Sequence, residues 1–432
     1  MSPDAFRFIH AADVHIDSPL RGLELLDDAP TEILQGATRR AFENLVSIAI
    51  AERVAFVILA GDLFDGRLRH HDMHTGIWTN NEIRRLEQAG IPVLLIRGNH
   101  DAESKVRTGV SWPANVHEFS VRRPQTFTAE DLGLDTAMRV AVHGQGFARP
   151  DAPDDLAAAY PDALPGCFNI GVLHTSLTGD PAHDPYAPTS VDVLVNRGYD
   201  YWALGHIHQR SNPPIHESPY IAYSGNLQGR HIRETGAKGC LLVSVEDGHI
   251  EDVEFRQTDT VRWHRAEIEL ERSDGCPELY ARLRDALAEC HAASDGRFSA
   301  IRLEFSGACA AHSELVASDR RSEVVAEIRN LAGEWDGEIW IEKIRFNTSP
   351  PLDIEQLREG SDLLGELLRD VSALSDKPES LAELVESSLT ELADKASLEL
   401  KSAGMSLTGP DQMSQWLQQA EGILLSRLEV EA

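Results

Sequence analysis

Cysteine pairs are missing from this chain of 432 residues. Its cysteines are odd in number, and no two of them form a Cys-x-x-Cys pair. A disulfide framework needs an even set at regular spacings, so the sequence excludes that class of small secreted protein. We expect the thiols to be reduced and packed. They are Cys167, Cys240, Cys276, Cys290 and Cys309.

Long apolar runs are also absent. No apolar segment approaches the roughly 18 residues that a membrane-spanning helix needs, so we expect no membrane partner. The first apolar segment follows Met1 closely and leads directly into Asp13 and His15. Since this segment is predicted to be a strand that leads into candidate site residues, we expect no removable signal peptide and a cytoplasmic location.

Basic residues are scarce. The chain has 40 Lys and Arg against 70 Asp and Glu, which gives a formal net charge of -30 at pH 7. Proteins that bind DNA over a broad surface need Lys and Arg to neutralise the phosphates. The sequence therefore argues against such a surface, and an anionic substrate would have to be held locally.

The remaining composition is that of a globular protein, with 42% hydrophobic and 25% charged residues. Residues 1–100 alternate short apolar runs with helical patterns, which is typical of an α/β fold with a largely parallel sheet. We predict one domain at 1–260, a small α/β domain at 261–347 and a helical tail at 352–432, after two consecutive prolines. Leucines at helical spacing in the tail predict docking, most readily on a partner protein.

Five short motifs place metal-ligand residue types at the ends of apolar strands. Substrates bind outside the carboxyl ends of strands in open α/β sheets, so we expect the motifs to meet at one site. Asp13 and His15 would face the same side of an extended backbone and hold one cation together. Taken singly, motifs such as Gly-Asp are as typical of turns, but five in this order are not explained by coincidence. The motifs are Asp13-Val14-His15, Gly61-Asp62, Gly98-Asn99-His100-Asp101, Leu173-His174 and Gly205-His206-Ile207-His208.

Seven candidate ligands are too many for one ion and suit two ions that share a carboxylate. They are Asp13, His15, Asp62, Asn99, His174, His206 and His208. Such oxygen and nitrogen ligands, without a thiolate, suit Mn²⁺, Fe²⁺ or Zn²⁺ in an open site. We expect Mn²⁺, with Fe²⁺, Zn²⁺ and Mg²⁺ as alternatives. Since only two of the seven are anionic, two dications leave a charge of about +2, which favours a phosphodiester. Paired metals activate water and stabilise both oxygens of a displacement at phosphorus. We expect His100 to act on the phosphate and Asp101 to orient it.

Together the motifs resemble the signature of the calcineurin-like metallophosphoesterase family. The resemblance implies a four-layer αββα sandwich, extended here by a small α/β capping domain and the helical tail. It also implies a role for each ligand: Asp13, His15 and His208 hold one metal; Asn99, His174 and His206 hold the other; Asp62 bridges them; and His100 contacts the scissile phosphate.

Within that family, HAADVHIDSPL and GDLFD resemble the SbcD-type DNA repair nucleases. The runs DYWALGHIHQR and SGNLQGRHIRE are similar to the bacterial YhaO group of DNA repair exonucleases. This resemblance is strong over residues 6–260 and covers the remainder only in layout. It implies a DNA exonuclease whose tail docks on an SMC-like, YhaN-type ATPase, and it makes a homodimer plausible. The acidity of the chain departs from a free-standing DNA binder and favours a partner that supplies DNA binding.

Four side chains that follow two of the ligand motifs are predicted to contact the DNA backbone. They are Arg210, Arg230, His231 and Arg233. Two other functions stay open: hydrolysis of cyclic nucleotides or other small phosphoesters, and a non-catalytic scaffold with a structural metal. The roughly 170 residues after the core argue against a compact esterase. A structural site would need neither His100 nor spare coordination positions, which argues against the scaffold.

Overall fold

The computed structural model describes residues 5–18, 29–66, 73–104, 110–135, 137–177, 186–351, 357–361 and 363–375, with the single residues 381 and 417. Most of the predicted tail at 352–432 therefore lies outside the described residues. Two compact units divide the chain: the first combines Met1–His264 with His291–Ile301, and the second combines Arg265–Cys290 with Arg302–Ala432. No helix in the described part of the chain is long and apolar enough to cross a membrane.

The first unit contains most of the strands. In chain order they are β1 (Phe6–Ala11), β2 (Phe56–Ala60), β3 (Val93–Ile96), β4 (Val116–Glu118), β5 (Gln125–Thr128), β6 (Val140–Gly144), β7 (Phe168–His174), β8 (Tyr201–Gly205), β9 (His216–Glu217), β10 (Tyr220–Tyr223), β11 (Gly239–Glu246) and β12 (His249–Gln257). Its helices are α1 (Thr31–Gln35), α2 (Ala37–Ala51), α3 (Met73–Gln88), α4 (Asn99–Glu103) and α5 (Val191–Asn196).

These strands form two six-stranded sheets. The first has the order β12-β11-β1-β2-β3-β4 and the second the order β5-β6-β7-β8-β10-β9. Strands β1 to β4 are parallel, as are β6, β7, β8 and β10, while the remaining strands pair antiparallel at the edges. Because neighbouring parallel strands end at the same edge of a sheet, each sheet presents its βα loops along one edge.

Apolar packing arranges the first unit in four layers. Between the sheets, Phe8 and Phe56 stack at 5.2 Å and share a core with Phe168 of the second sheet. Helix α2 packs Phe42 on the outer face of the first sheet, and Leu194 of α5 packs on the outer face of the second. Parallel strands covered on both faces must be apolar throughout, as FVILA of β2 is. The predicted αββα sandwich is confirmed.

The second unit is built on a three-stranded sheet of order β13-β14-β15. These strands are β13 (Val261–Glu269), β14 (Phe298–Ala308) and β15 (Ile339–Ser349). The helices are α6 (Cys276–Ala293), α7 (His312–Val316), α8 (Ser318–Ala332) and α9 (Leu363–Ser375). Helix α6 buries leucines four residues apart at 279, 283 and 287, the stripe expected of a helix with one apolar face.

Candidate metal centre

The predicted ligands follow the ends of five parallel strands. Three motifs come from the first sheet, after β1, β2 and β3, and two come from the second, after β7 and β8. His174 is the last residue of β7, and Asn99 is the first residue of α4. The sandwich thus brings residues that are up to 195 positions apart in sequence, Asp13 and His208, into one cluster.

The backbone at the cluster differs from the extended form expected from the sequence. Strand β1 ends at Ala11, and both Asp13 (φ 51°) and His15 (φ 47°) adopt the left-handed conformation. The prediction that they share a face of a strand is therefore wrong. Their N–H groups instead donate to the carbonyls of Gly61 at 3.1 Å and Asp62 at 3.0 Å, because the loops after β1 and β2 run side by side.

One half of the cluster joins Asp13, His15 and His208. The Nε2 atoms of the two histidines lie 3.2 Å apart, and that of His208 lies 3.9 Å from Asp13 Oδ1. Both carboxylate oxygens of Asp13 accept the N–H of His206, at 3.2 and 3.0 Å. All three side chains offer ligand atoms within 4.8 Å of one another, which suits a single cation.

Asp62 and His174 form the other half of the cluster. His174 Nε2 lies 3.4 Å from Asp62 Oδ2 and 3.0 Å from Asn99 Oδ1. The ring of His206 packs edge-on against that of His174, with centroids 5.3 Å apart. Asp62 Oδ2 is also 3.8 Å from His15 Nε2, so this carboxylate lies between the two halves, where a bridging ligand belongs.

The donor chemistry fits cations at this position. His174 Nδ1 lies 2.9 Å from the carbonyl of Ala60 and must carry a proton to make that contact. Its Nε2 atom then faces two oxygen acceptors, an arrangement that needs a positive charge between them. A proton on Nε2 satisfies this, and a divalent metal ion ligated by the same three atoms does so as well.

Glycines leave the space that the ligand side chains occupy. A Cβ on Gly98 would lie 2.2 Å from Asp62 Oδ1, and one on Gly61 would lie 2.5 Å from His174 Nδ1. At Gly205 a Cβ would meet the carbonyl of Ala60 at 2.0 Å. The glycine that precedes each of these ligand motifs is therefore required by close approach, not only by turn geometry.

Burial and mutual charge shift the pKa values of the cluster in opposite directions. Burial raises the pKa of Asp13 and lowers that of His15 well below its ordinary value, the latter with help from Arg230. Burial also opposes ionisation of Asp62, but His174 holds the pKa of that carboxyl below its usual range. Although burial favours a neutral ring, Asp62 raises the pKa of His174 to about 9. Asp62 and His174 thus form a buried charge pair.

His100 lies at the accessible rim of the cluster, with 34% of its side chain exposed. The ring of His100 contacts that of His15 edge-on, with centroids 4.8 Å apart. The backbone N–H of His100 donates to Asp62 Oδ1 at 2.9 Å. The N–H of Gly66 points at His100 Nδ1 from 3.4 Å. A ring that accepts at Nδ1 carries its proton on Nε2, where it can donate to a bound group.

Asp101 makes different contacts from the predicted one with His100. Its carboxylate accepts the N–H groups of Leu63, Phe64 and Gly98 at 2.9–3.2 Å, and burial raises its pKa to about 6. These bonds tie the loop after β2 to the loop after β3. The carboxylate that faces His100 Nδ1 is instead Asp65, at 3.8 Å.

The four predicted DNA contacts differ in their surroundings. Arg230 reaches the cluster: it donates to Ser18 Oγ at 3.1 Å and lies 3.8 Å from Asp65. Arg210 stacks its guanidinium over the ring of Phe255, at 4.2 Å. His231 and Arg233 are exposed, and His231 Nε2 lies 3.7 Å from Glu234. Of the four, Arg230 has the placement expected of a residue that meets a bound anion.

Sequence reasoning missed two acidic residues beside the cluster, Asp65 and Glu234. Glu234 Oε1 lies 2.6 Å from His208 Nδ1, and its Oε2 accepts the N–H of Arg230 at 2.7 Å. The available signals were weak: a second Asp three residues after Asp62, and a single Glu four residues after Arg230. In a chain with 70 acidic residues neither stands out.

Comparison with known proteins agrees with this fold. The profile of the calcineurin-like phosphoesterases matches residues 6–210, and that of the middle domain of metallophosphoesterase YhaO matches residues 263–349. The uncharacterized metallophosphoesterase YhaO of Bacillus subtilis (strain 168) is 32% identical over 377 residues, which are 87% of this chain and 89% of that protein. The chain belongs to the calcineurin-like metallophosphoesterases and, within them, to the YhaO family.

Two solved structures are similar to this chain at 12% identity. The protein TT1561 of Thermus thermophilus matches with a TM-score of 0.33 over 59% of this chain and 99% of its own. A dimetal phosphatase from Danio rerio matches with a TM-score of 0.34 over 59% of this chain and 96% of its own. Likeness at this level bears on neither substrate nor mechanism.

Proposed function

We propose that this metallophosphoesterase is a DNA exonuclease that hydrolyses phosphodiester bonds with two divalent ions, Mn²⁺ by preference. The observation that carries the hydrolytic part is the juxtaposition of a buried Asp/His/Asn cluster with the partly exposed, donor-bearing ring of His100. DNA as the substrate rests on the sequence resemblance to SbcD-type nucleases. Arg230 supports it by adding a cation next to the cluster.

Each half of the cluster would hold one ion. Asp13, His15 and His208 suit the first; Asn99, His174 and His206 suit the second; and Asp62 lies between them. When bound, two such ions supply Lewis acidity and lower the pKa of water at the site. The ligands contribute pre-set geometry, since burial and backbone hydrogen bonds fix them before substrate arrives.

His100 and Arg230 act on the substrate itself. His100 Nε2–H is directed away from its Gly66 contact and can donate to a phosphate oxygen or to the departing alcohol. Arg230, with 17% of its side chain exposed, adds a fixed cation on the His208 side of the cluster. Both side chains lie 3.8 Å from Asp65, so both can meet the oxygens of a phosphate group held at the cluster.

Digestion of an end-labelled duplex with and without Mn²⁺ tests the proposal, with bis-p-nitrophenyl phosphate as a parallel substrate. Release of labelled nucleotides that depends on Mn²⁺ is the expected result. Hydrolysis of the small diester alone would refute DNA as the substrate while keeping the hydrolase. Inactivity on both, in protein shown to bind Mn²⁺, would refute the hydrolytic role.

A partner ATPase of the SMC-like, YhaN type is the second part of the proposal. The net charge of -30 disfavours tight binding to DNA by this chain alone, and the leucine-rich sequence at 352–432 is suited to docking. Co-purification of the two chains, with faster digestion in the complex, is expected. Unchanged digestion and separate elution would contradict it, and light scattering of the chain alone would show whether it forms a homodimer.

The same net charge favours a second candidate, the hydrolysis of cyclic nucleotides or other small phosphoesters. Small anions need only the local field of two dications and Arg230, whereas long polyanions experience the whole surface. The parallel assay separates the two, because a cyclic nucleotide turned over faster than duplex ends would favour the small substrate.

A further inference from the structure

One histidine at each metal position, His174 and His208, has a hydrogen-bond partner behind its ring, and the two partners differ. His174 Nδ1 donates to a neutral backbone carbonyl, that of Ala60, at 2.9 Å. His208 Nδ1 instead meets the carboxylate of Glu234 at 2.6 Å. A ring that donates to a carboxylate becomes a more basic ligand at its other nitrogen than a ring that donates to a carbonyl.

The proton of His208 must lie on Nδ1. Arg230 Nη2 is 3.2 Å from the same nitrogen, but it is also 3.3 Å from Glu234 Oε1. An acceptor-only carboxylate cannot lie 2.6 Å from an imidazole lone pair, so the short contact requires the hydrogen on Nδ1. His208 Nε2 is then the ring nitrogen that remains as a ligand atom, and it lies next to Asp13 and His15.

Glu234 itself is held rigidly. Only 6% of it is exposed, and its Oε2 accepts the N–H of Arg230 at 2.7 Å and the amide of Asn226 at 3.1 Å. A carboxylate anchored on one oxygen and bonded to a ligand through the other sets the direction of that ligand. His208, with 26% of its side chain exposed, needs such a support more than the fully buried His174.

We infer that Glu234 is a positioning residue for His208, and that it makes the position held by Asp13, His15 and His208 the tighter of the two metal positions. This inference rests on the two-metal site of the proposed function.

Stepwise Mn²⁺ titration of the full chain, by calorimetry and by the electron paramagnetic resonance signal of free Mn²⁺, tests the inference. Wild-type protein should bind two ions with separable affinities. Glu234→Gln keeps the shape of the side chain but removes its charge, and should weaken the tighter step about 10- to 100-fold while leaving the weaker step in place. Glu234→Asp retains a carboxylate and should recover part of that loss.

Glu52→Gln is the matched control. Glu52 bridges Arg7 and Arg256 at 2.6 Å each in the same unit, with no ligand histidine as a partner in these two bonds. This control should keep both Mn²⁺ affinities, even if its melting temperature falls. Any general effect of losing an ion-paired carboxylate would therefore appear in both variants.

The outcomes separate this inference from the proposed function. Wild-type protein that binds no Mn²⁺, or one ion only, overturns the two-metal proposal and this inference with it. Two wild-type sites whose affinities Glu234→Gln leaves unchanged, or weakens equally, overturn only the role of Glu234. If Glu234→Gln does not fold, a Glu234→Ala variant that keeps both wild-type affinities gives the same refutation, because it also lacks the carboxylate.

Discussion

Gly98→Ala is the most direct test of the packed geometry at the cluster. The backbone of Gly98 (φ -88°, ψ -167°) is extended and open to any residue, so the substitution introduces no backbone strain. The new methyl group, however, would lie 2.2 Å from Asp62 Oδ1 and 2.8 Å from His174 Cε1. Ordinary contact begins near 3.4 Å, so Asp62 must retreat by about 1.2 Å.

The surroundings of Asp62 leave no space for such a shift. Its Oδ1 atom accepts the N–H of His100 at 2.9 Å, and 1% of the residue is exposed. Metal–ligand distances tolerate about 0.2 Å, and misplacement by about 1 Å can cost about 100-fold in rate. We expect Gly98→Ala to lose at least one Mn²⁺ ion and about 100-fold or more in kcat/KM. Overpacking should also reduce the free energy of unfolding by about 1–3 kcal/mol.

Calorimetric Mn²⁺ titration, hydrolysis of bis-p-nitrophenyl phosphate and urea unfolding measure these three effects. Gly333→Ala is the matched control, because its φ is -65° and no atom lies within 4 Å of the new methyl group. That variant should match wild type in Mn²⁺ binding and hydrolysis and should be at least as stable in urea. A Gly98→Ala protein with two Mn²⁺ ions and a rate within about threefold of wild type would refute the close-packing argument.

Three further predictions concern catalysis, the metal and pH. His100→Ala should keep both Mn²⁺ ions in calorimetry but lose about 10²–10⁴-fold in kcat; full activity would remove its assigned role. Chelation by EDTA should abolish hydrolysis and Mn²⁺ should restore it, with circular dichroism unchanged throughout; activity that survives dialysis against EDTA would contradict a metal mechanism. Burial lowers the pKa of His10 to about 3 in the folded chain. The unfolded chain therefore binds a proton at this residue below pH ~6.5, whereas the folded chain does not bind it until the pH approaches 3. Stability should therefore fall by about 2 kcal/mol from pH 7 to pH 5 on account of His10, and urea unfolding of His10→Gln should show a pH dependence smaller by that amount.

The α/β class and the parallel strands were predictable from the sequence because apolar runs mark the central strands, whereas the four-layer arrangement followed only from the family resemblance. Strands such as β2 and β7 are buried on both faces, so their sequences are largely apolar from end to end. Strands β4, β5 and β9 left no such signal, since they are short edge strands with little burial and sequences such as VHE and QTFT. Pairing with a neighbour, not composition, makes these segments strands.

The cluster was predictable only in part, for reasons of distance and backbone conformation. Parallel strands that end at one edge make ligand convergence foreseeable from strand order alone. The contact of Glu234 with His208 depends on the path of the loop between them, and nothing local in the sequence specifies that path. The same is true of Asp65, which approaches His100 across two loops while Asp101 binds backbone.

Left-handed backbone at the ligands shows how the site is assembled. Asp13, His15, Asp62 and His206 all have positive φ, a conformation that costs of order 1–3 kcal/mol at residues other than glycine. Backbone bonds between the loops offset that cost: those of Asp13 and His15 to the β2 loop, and that of Ile16 to Leu63 at 3.0 Å. Because these bonds involve no ligand atom, we expect the loops to keep their conformation when the metal ions are removed. A cluster preorganised in this way would differ from a zinc finger, whose fold depends on its ion, since metal binding would not have to supply the energy of folding.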